Sequence, residues 1–461
     1  MPDAAARDHA YYVHPYTNLA AHQNERPLVI ERGDGVYVVD QDGKRYLEAM
    51  AGLWCASLGF SEKRLAEAAY RQMLALPFYH SFGGKVPAIT LELSEALIKL
   101  APVPRAKALF ASSGSESNDT AVKLVWYLNN ALGRPQKKKI IARHKGYHGV
   151  TVASASLTGL PAVHADFDLP LPQMLHADCP HYYRFGRPGE AEEAFAERMA
   201  QNLEAMILRE GPDTVAAFIA EPIQGAGGVI LPPATYFERI QPILKKYDLL
   251  FIVDEVICGF GRTGHMFGSD LYGLRPDLMT VAKAISAGYQ PISALLMSEE
   301  VSGVLVRQST KLGAFGHGYT YTGHPVPAAV ALETLRIYEQ DRIVEHVRAV
   351  GPLLQEGLCA LSDHPLVGHV RGVGLIAGVE LVQDKSARAS FPAGEGVGTK
   401  LARIAQDDGL IVRVMAGDII AFSPPLIIDA AEMRLLLERF ERALDATLVW
   451  AQDRGLVAAG H

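Results

Sequence analysis

The sequence predicts an α/β fold, a large domain with a mostly parallel central sheet and a smaller α+β domain, on three observations. From Ala106 onward, short apolar runs alternate with turns and amphipathic stretches, the rhythm of strands and helices laid down in turn. The run at residues 249–253 is apolar without alternation, and the run at 278–282 nearly so, as strands buried on both faces are. At 461 residues the chain is also long for one hydrophobic core. The divisions expected are 1–60 for an amino-terminal arm and part of the smaller domain, 61–330 for the large domain, and 331–461 for the remainder.

Composition narrows the function. Apolar residues make up 49% and charged residues 21%, the balance of an ordinary globular protein. A net charge of −7 spread over this length leaves no basic face for nucleic acid or anionic lipid. The one basic run, Lys137-Lys138-Lys139, is expected to be a solvated loop edge. Cys55, Cys179, Cys258 and Cys359 stand far apart with no CxxC, which predicts a reducing compartment and no disulfide framework. Met1-Pro2-Asp3-Ala4 lacks a basic region followed by an apolar one, and no uncharged apolar run approaches the roughly eighteen residues of a membrane span. Cytoplasm is the expected location.

Taken in order, residues 1–50 are expected to form an extended arm, stiffened at His14-Pro15-Tyr16. It should close with a hairpin of residues 35–40 and 44–47 across Asp42-Gly43. Trp54, among the small residues of Gly52-Leu53-Trp54-Cys55, reads as core more readily than as a pocket wall. Residues 108–111 form a strand that runs into Ser112-Ser113-Gly114-Ser115-Glu116-Ser117-Asn118. Ala121, Val122, Leu124, Val125 and Leu128 follow at helical spacing, and Ser113 with Glu116 makes a capping box at the helix start. Small residues there leave backbone N–H groups free to meet a phosphate, although an ordinary capped helix has the same pattern. Neither a Walker loop nor a dinucleotide GxGxxG is convincing anywhere.

Residues 140–142 make the next strand, followed by Gly146-Tyr147-His148-Gly149, where a tyrosine between glycines is placed to stack on a flat ring. His144 and His148 have the spacing of a helical metal pair, but the glycines argue against a helix. Pro180 weakens a set of His176, Cys179 and His181, so no metal site is expected. Residues 215–220 form a strand ending in Glu221-Pro222, with a tight turn at Gly225-Ala226-Gly227-Gly228. A helix over 235–247 precedes the 249–253 strand and its adjacent acids, Asp254 and Glu255. A glycine-rich turn over 259–264, the 278–282 strand ending in Lys283, and a strand over 293–297 follow. Residues 310–325 are loop, and a helix from 328 to 341 leads to the smaller domain. Strands are expected there at 375–381 and 410–412, the latter closed by Arg413, with a last helix over 430–452.

Strand ends thus deliver Ser113, Tyr147, Glu221, Asp254 and Lys283 to one edge of one sheet, where open α/β sheets bind ligands. An acid and an amine that each terminate a buried strand are costly unless paired or used. A buried ion pair would satisfy both. So would pyridoxal 5′-phosphate, whose aldehyde condenses with a lysine and whose pyridinium nitrogen needs an acidic partner. Arg413 is either a surface charge or a fork suited to a substrate carboxylate.

One family carries these residues in this order. The stretches 113–118, Tyr147-His148-Gly149, 221–228, 254–264, Ala282-Lys283 and Thr320-Tyr321 resemble the class III aminotransferases, within fold type I of the pyridoxal-phosphate enzymes. The resemblance runs from about His14 to the last helix. Gly52-Leu53-Trp54-Cys55 and Leu76-Pro77-Phe78-Tyr79 resemble the ω-transaminases that work between an amine and pyruvate. The resemblance implies a smaller domain built from both termini. It implies Lys283 as covalent anchor and proton shuttle and Asp254 as partner of the pyridine nitrogen. Ser113, Gly114 and Ser115 would cradle the phosphate, and Tyr147 and Val256 would cover the two ring faces. His148 and Tyr319 would also meet the cofactor, and Thr320 would reach it from a neighbouring subunit, which implies a homodimer or a tetramer. Glu221 would lie near the cofactor's phenolic oxygen and help hold Arg413 when no carboxylate is bound. Arg413 would clamp pyruvate, and Tyr16, Trp54, Phe82 and Tyr147 would shape the substrate pockets. Ala284, Thr322 and Gly83 depart from the family pattern, and Gly83 implies a roomier pocket.

The function this implies is ping-pong transfer of an amino group from a primary amine or ω-amino acid to pyruvate, giving alanine. Neither nucleic acid nor membrane is expected as a partner. A decarboxylase, aminomutase or racemase on the same fold is the alternative. A retired scaffold is a third reading, disfavoured because Lys283 and Asp254 are both present.

Overall fold

The structure is a computed structural model describing residues 4–102, 104, 106–392 and 394–457; residues 1–3 of the amino-terminal stretch and 458–461 of the expected smaller domain lie outside the described residues. At its centre is a seven-stranded sheet in the order Lys107–Ala111, Ser293–Met297, Leu278–Val281, Leu250–Asp254, Val215–Ala220, Lys139–Arg143, Met174–Ala177. Neighbours pair in parallel except Ser293–Met297, which is antiparallel to both partners. The expected mostly parallel sheet is therefore present.

Alternation along Leu250–Asp254 decides which acid faces the site. Phe251 and Val253 pack with the Glu192–Glu210 and Tyr236–Lys246 helices, whereas Ile252 packs on the opposite face with residues of the Gly114–Ala131 helix. Burying each of these side chains contributes about 1.5–3 kcal/mol. Asp254 shares the Ile252 face and looks toward the Gly114–Ala131 helix. Glu255 turns the other way, accepting from Gly268 N at 3.0 Å, Ser269 N at 2.6 Å and Ser269 Oγ at 2.6 Å. It caps the Gly268–Tyr272 helix.

Two smaller sheets accompany the large one. Ile30–Asp34, Tyr37–Asp40, Arg45–Glu48 and Leu410–Ile411 form one, in which the hairpin expected across Asp42-Gly43 is present. Leu410–Ile411 lies parallel to Arg45–Glu48, so segments from both ends of the chain share a sheet. Val367–Val373, Ile376–Leu381, Ile419–Phe422 and Arg413–Met415 form the other, all antiparallel.

Three expectations are corrected. The arm is not extended throughout: it forms the helices Ala4–Tyr11 and Leu19–His22, the second capped by Asn18, whose side chain accepts from Ala21 N at 3.2 Å. Neither helix buries a residue, so no apolar period announced them. Arg413 opens a strand rather than closing one, because the chain changes sheets at Val412.

The lysine run is not a solvated edge. Lys137 is only 5% exposed and donates to the carbonyl of Tyr247, which follows the Tyr236–Lys246 helix, at 3.0 Å. Lys138 donates to Trp126 O at 3.0 Å near the end of Gly114–Ala131, and Lys139 to Glu210 O at 2.9 Å at the end of Glu192–Glu210. Each lysine meets the negative end of a different helix, an arrangement worth about 0.3–1 kcal/mol per cation. All four cysteines are free, and no described helix is long and apolar enough to cross a membrane.

Candidate active site

The carboxyl ends of the parallel strands bring Asp254 and Lys283 to one cleft. Asp254, 3% exposed, has both oxygens engaged. Oδ1 accepts from Val256 N at 3.0 Å, and Oδ2 accepts from Asn118 Nδ2 at 2.8 Å and faces His148 Nδ1 at 2.9 Å. Asn118 is oriented in turn: Nδ2 also donates to His148 O at 2.7 Å, and Oδ1 accepts from the Thr280 hydroxyl at 2.8 Å. Thr280 pairs with Asp254 across the sheet, so one register places acid, amide and hydroxyl together. The amide donors of Val256 and Asn118 fix the orientation of the Asp254 carboxylate.

Lys283 follows Leu278–Val281 and opens the short 3₁₀ turn Lys283–Ser286 with φ of 51°. A left-handed backbone at a lysine is strained by roughly 1–3 kcal/mol, and such strain clusters at functional sites. Its side chain is half-buried, and loss of water lowers the amine's pKa against the opposing pull of Cys55, Asp254 and Glu221. The Lys283 Nζ lies 5.4 Å from the Trp54 ring centroid, and the Arg413 guanidinium lies 5.4 Å from the same centroid. Trp54 is thus both buried, as expected, and a wall shared by two cations. Among the described residues its buried Nε1 has no hydrogen-bond partner, nor has the buried His148 Nε2.

Trp54 is placed by an unusual turn. Ala51, Gly52, Leu53 and Trp54 have φ of 46°, 52°, 80° and 63°, four left-handed residues in succession of which only one is glycine. Each non-glycine residue there costs about 1–2 kcal/mol. Buried Glu48 offsets part of this, its Oε2 accepting from Gly52 N at 2.6 Å and Met50 N at 3.3 Å. Burial raises the Glu48 carboxyl to about 7, against the lowering effect of those amides and Arg262.

Beside the acid, Ser113 caps the Gly114–Ala131 helix and the capping box with Glu116 is complete. The N–H groups of Gly114 and Ser115 then remain without intrahelical acceptors, a seat for an anion. A Cβ on Gly114 would meet Val256 Cγ2 at 3.0 Å, so a side chain there would crowd Val256. Ser115 Oγ accepts from Val150 N at 3.2 Å. Tyr147 is half-buried; its amide donates to Glu221 Oε1 at 3.0 Å, and Tyr16 OH donates to Tyr147 OH at 3.4 Å.

Some expected neighbours are arranged differently. Glu221 does not hold Arg413: its Oε2 accepts from Gly225 N at 2.9 Å, its Oε1 from Tyr147 N, and burial raises its pKa. Arg413 makes no ion pair among the described residues; its guanidinium lies over the Trp54 ring, and burial lowers its pKa. Tyr319 reaches the back of the cradle helix, its OH donating to Glu116 O at 3.0 Å. Thr320 and Phe82 are exposed, and the Phe82 ring edge lies against Gly318, 3.2 Å from where its Cβ would stand. Sequence reasoning missed the roles of Asn118, Thr280 and Glu48. The lone hydroxyl inside the 278–282 run was the available signal for Thr280. It also missed Asp8, His14 and His22, which meet in the arm.

The Aminotransferase class-III family model matches residues 19–444. The chain is 57% identical over 422 residues to gamma aminobutyrate transaminase 3, chloroplastic, of Solanum lycopersicum, covering 91% of this chain and 81% of that one. It is 55% identical over 434 residues to gamma-aminobutyrate transaminase 1, mitochondrial, of Oryza sativa subsp. indica, covering 94% and 84%. Among solved structures, the omega transaminase from Pseudomonas jessenii in complex with PMP superposes with a TM-score of 0.96 at 56% identity, covering 97% of this chain and 99% of that one. A transaminase with L-ala superposes at 0.90 and 54% identity, covering 92% and 99%.

Enzymes of this family depend on pyridoxal phosphate, and the residues present fit it. The carboxylate of Asp254, the lysine on the adjacent strand end and the free N–H groups at Gly114 and Ser115 are the groups such a cofactor requires, and the buried Trp54 Nε1 and His148 Nε2, without partners among the described residues, leave polar atoms for it to meet. The chain has the fold type I architecture and belongs to the pyridoxal-phosphate-dependent class III aminotransferases.

Proposed function

We propose that the enzyme moves an amino group from a primary amine or ω-amino acid to pyruvate by a ping-pong cycle, as a homodimer. The observation that carries the acceptor is Arg413, a guanidinium with no acid partner among the described residues, sharing the Trp54 ring with the Lys283 amine. An unpaired planar fork beside the reacting amine suits the carboxylate of a short keto acid. The L-ala complex of a similar transaminase and the γ-aminobutyrate named for the plant relatives support an alanine-forming acceptor and an ω-amino donor.

When bound, pyridoxal phosphate supplies the aldehyde carbon that receives the amino group and a ring that withdraws electrons from the reacting carbon. The chain supplies the rest. Asp254, fixed by Asn118, His148 and Val256 N, would keep the ring nitrogen protonated. Gly114 and Ser115 would hold the phosphate, and Tyr147 and Val256 would flank the ring. Lys283, its amine less basic than usual through burial, would take the proton from the amine-bearing carbon and return it at the next position. Arg413 would set the orientation of the keto acid before proton transfer.

Exposed Phe78, Tyr79, Phe82, Val86 and Tyr321 support the dimer, with Phe78 and Tyr321 in edge contact at 5.7 Å. Such a patch, close in sequence to exposed Thr320, suits a face shared between copies. The test is spectroscopic. Adding an amine donor to the holoenzyme should bleach the visible absorbance of the bound cofactor, and pyruvate should restore it with formation of one alanine per site. Failure of a broad amine panel to bleach, or product formation with no keto acid required, would overturn the reading.

A further inference from the structure

The amino-terminal arm gathers three metal-ligating side chains outside the cofactor site. Asp8 lies on the Ala4–Tyr11 helix, His14 follows it, and His22 ends the Leu19–His22 helix. His14 Nε2 is 2.7 Å from Asp8 Oδ1, and His22 Nε2 is 2.7 Å from Asp8 Oδ2. The two imidazoles are tilted by 54° with centroids 4.3 Å apart, and all three ligand atoms lie within 4.8 Å of one another. The side chains are sheltered, at 15% exposure for Asp8, 28% for His14 and 16% for His22.

We propose that Asp8, His14 and His22 form a binding site for a divalent transition cation of the zinc or cobalt class. Two imidazole nitrogens and one carboxylate oxygen are the three-ligand set that zinc takes with water in the fourth position, and nitrogen ligands select against calcium and magnesium. Bonds of about 2.0–2.1 Å in a tetrahedral site place donor atoms roughly 3.3–3.5 Å apart. The observed separations, from 2.7 Å to within 4.8 Å, bracket that range, so small side-chain rotations admit an ion.

The exchange balances. Each Nε2 gives its lone pair to the metal, so the proton of each neutral ring moves to Nδ1 and any second proton on a charged ring leaves to solvent. Asp8 joins the ion through a carboxylate oxygen. His9 packs its ring on His22 at 5.4 Å and donates to or accepts at no ligand atom of the three; its Nε2 meets Glu25 O at 3.2 Å.

The site has a functional consequence because His14 leads through Pro15 to Tyr16, whose hydroxyl rests on Tyr147. A bound ion would tie down the arm that carries Tyr16 over the cleft. The site itself does not depend on the identity of donor or acceptor.

The test uses chelator-stripped, untagged holoenzyme titrated with cobalt chloride and then zinc chloride. The structure predicts one saturable cobalt per chain, seen as visible ligand-field absorption, and its displacement by zinc. Asp8→Asn and His22→Gln should each weaken binding by about tenfold or more, with cofactor absorbance and circular dichroism unchanged. No saturable equivalent in the wild type, or an equivalent that survives both substitutions, would overturn the proposal.

Discussion

Asn118 donates its side-chain amide to Asp254 Oδ2 at 2.8 Å, and the Thr280 hydroxyl fixes which way that amide points. The acid expected to govern the cofactor nitrogen is therefore held by a residue 136 positions away, and that residue is held in turn by Thr280. Hydrogen bonds to a charged group are worth about 1.5–3 kcal/mol. Asn118→Ala should weaken retention of the cofactor by about 10–100-fold. Dialysis followed by cofactor titration measures this, and unchanged retention would contradict the assignment.

Glu48 links the left-handed turn under Trp54 to pH. Its carboxyl is raised from 4.5 to about 7 by burial, so between these values the folded protein binds more protons than the unfolded chain. Stability from this group is then present at low pH and falls as pH rises from about 4.5 to about 7. Glu255, also raised to about 7 by burial, acts in the same direction. Glu48→Gln removes one such group and keeps an acceptor for Gly52 N. Its stability relative to wild type should rise across that window, by at most about 3 kcal/mol. Thermal denaturation from pH 5 to 8 measures the difference, and a pH-independent offset would refute it.

Lys137 should matter to stability and not to turnover. Lys137→Met keeps the buried stem and leaves the Tyr247 carbonyl without its cation, at a cost of about 1–3 kcal/mol. Urea denaturation should show the lower midpoint while the transamination rate holds. An unchanged midpoint would return the lysine run to the solvated edge that its charge first suggested.

On the proposed reading, Arg413 should separate the two halves of the reaction. Arg413→Ala should raise KM for pyruvate by about 10–100-fold, the loss of a charge-assisted pair. Single-turnover bleaching by an uncharged amine should change little, since that half-reaction offers no carboxylate. Equal losses in both half-reactions would assign Arg413 to another role.

The parts legible in sequence were those whose cause is local. Apolar runs of strand length placed Leu250–Asp254 and Ser293–Met297, and the Ser113–Glu116 spacing placed a helix start that the structure confirms as a full capping box. Strand alternation also explains why Asp254 and not Glu255 enters the cleft, although only the packing of Ile252 showed which face that was. What stayed hidden was set by distant partners. Asn118 meets Asp254 across 136 positions, and the three helix ends that seat Lys137, Lys138 and Lys139 come together only in the folded chain. The arm helices, having no buried face, left no period to read.

The attachment of the cofactor to Lys283 is the claim on which the catalytic account rests, and one measurement reaches it directly. Borohydride reduction of the holoenzyme, digestion and mass mapping should place a pyridoxyl group on the peptide containing Lys283. Lys283→Ala should carry neither that group nor turnover. A label on a different lysine, or wild-type turnover in Lys283→Ala, would contradict the account.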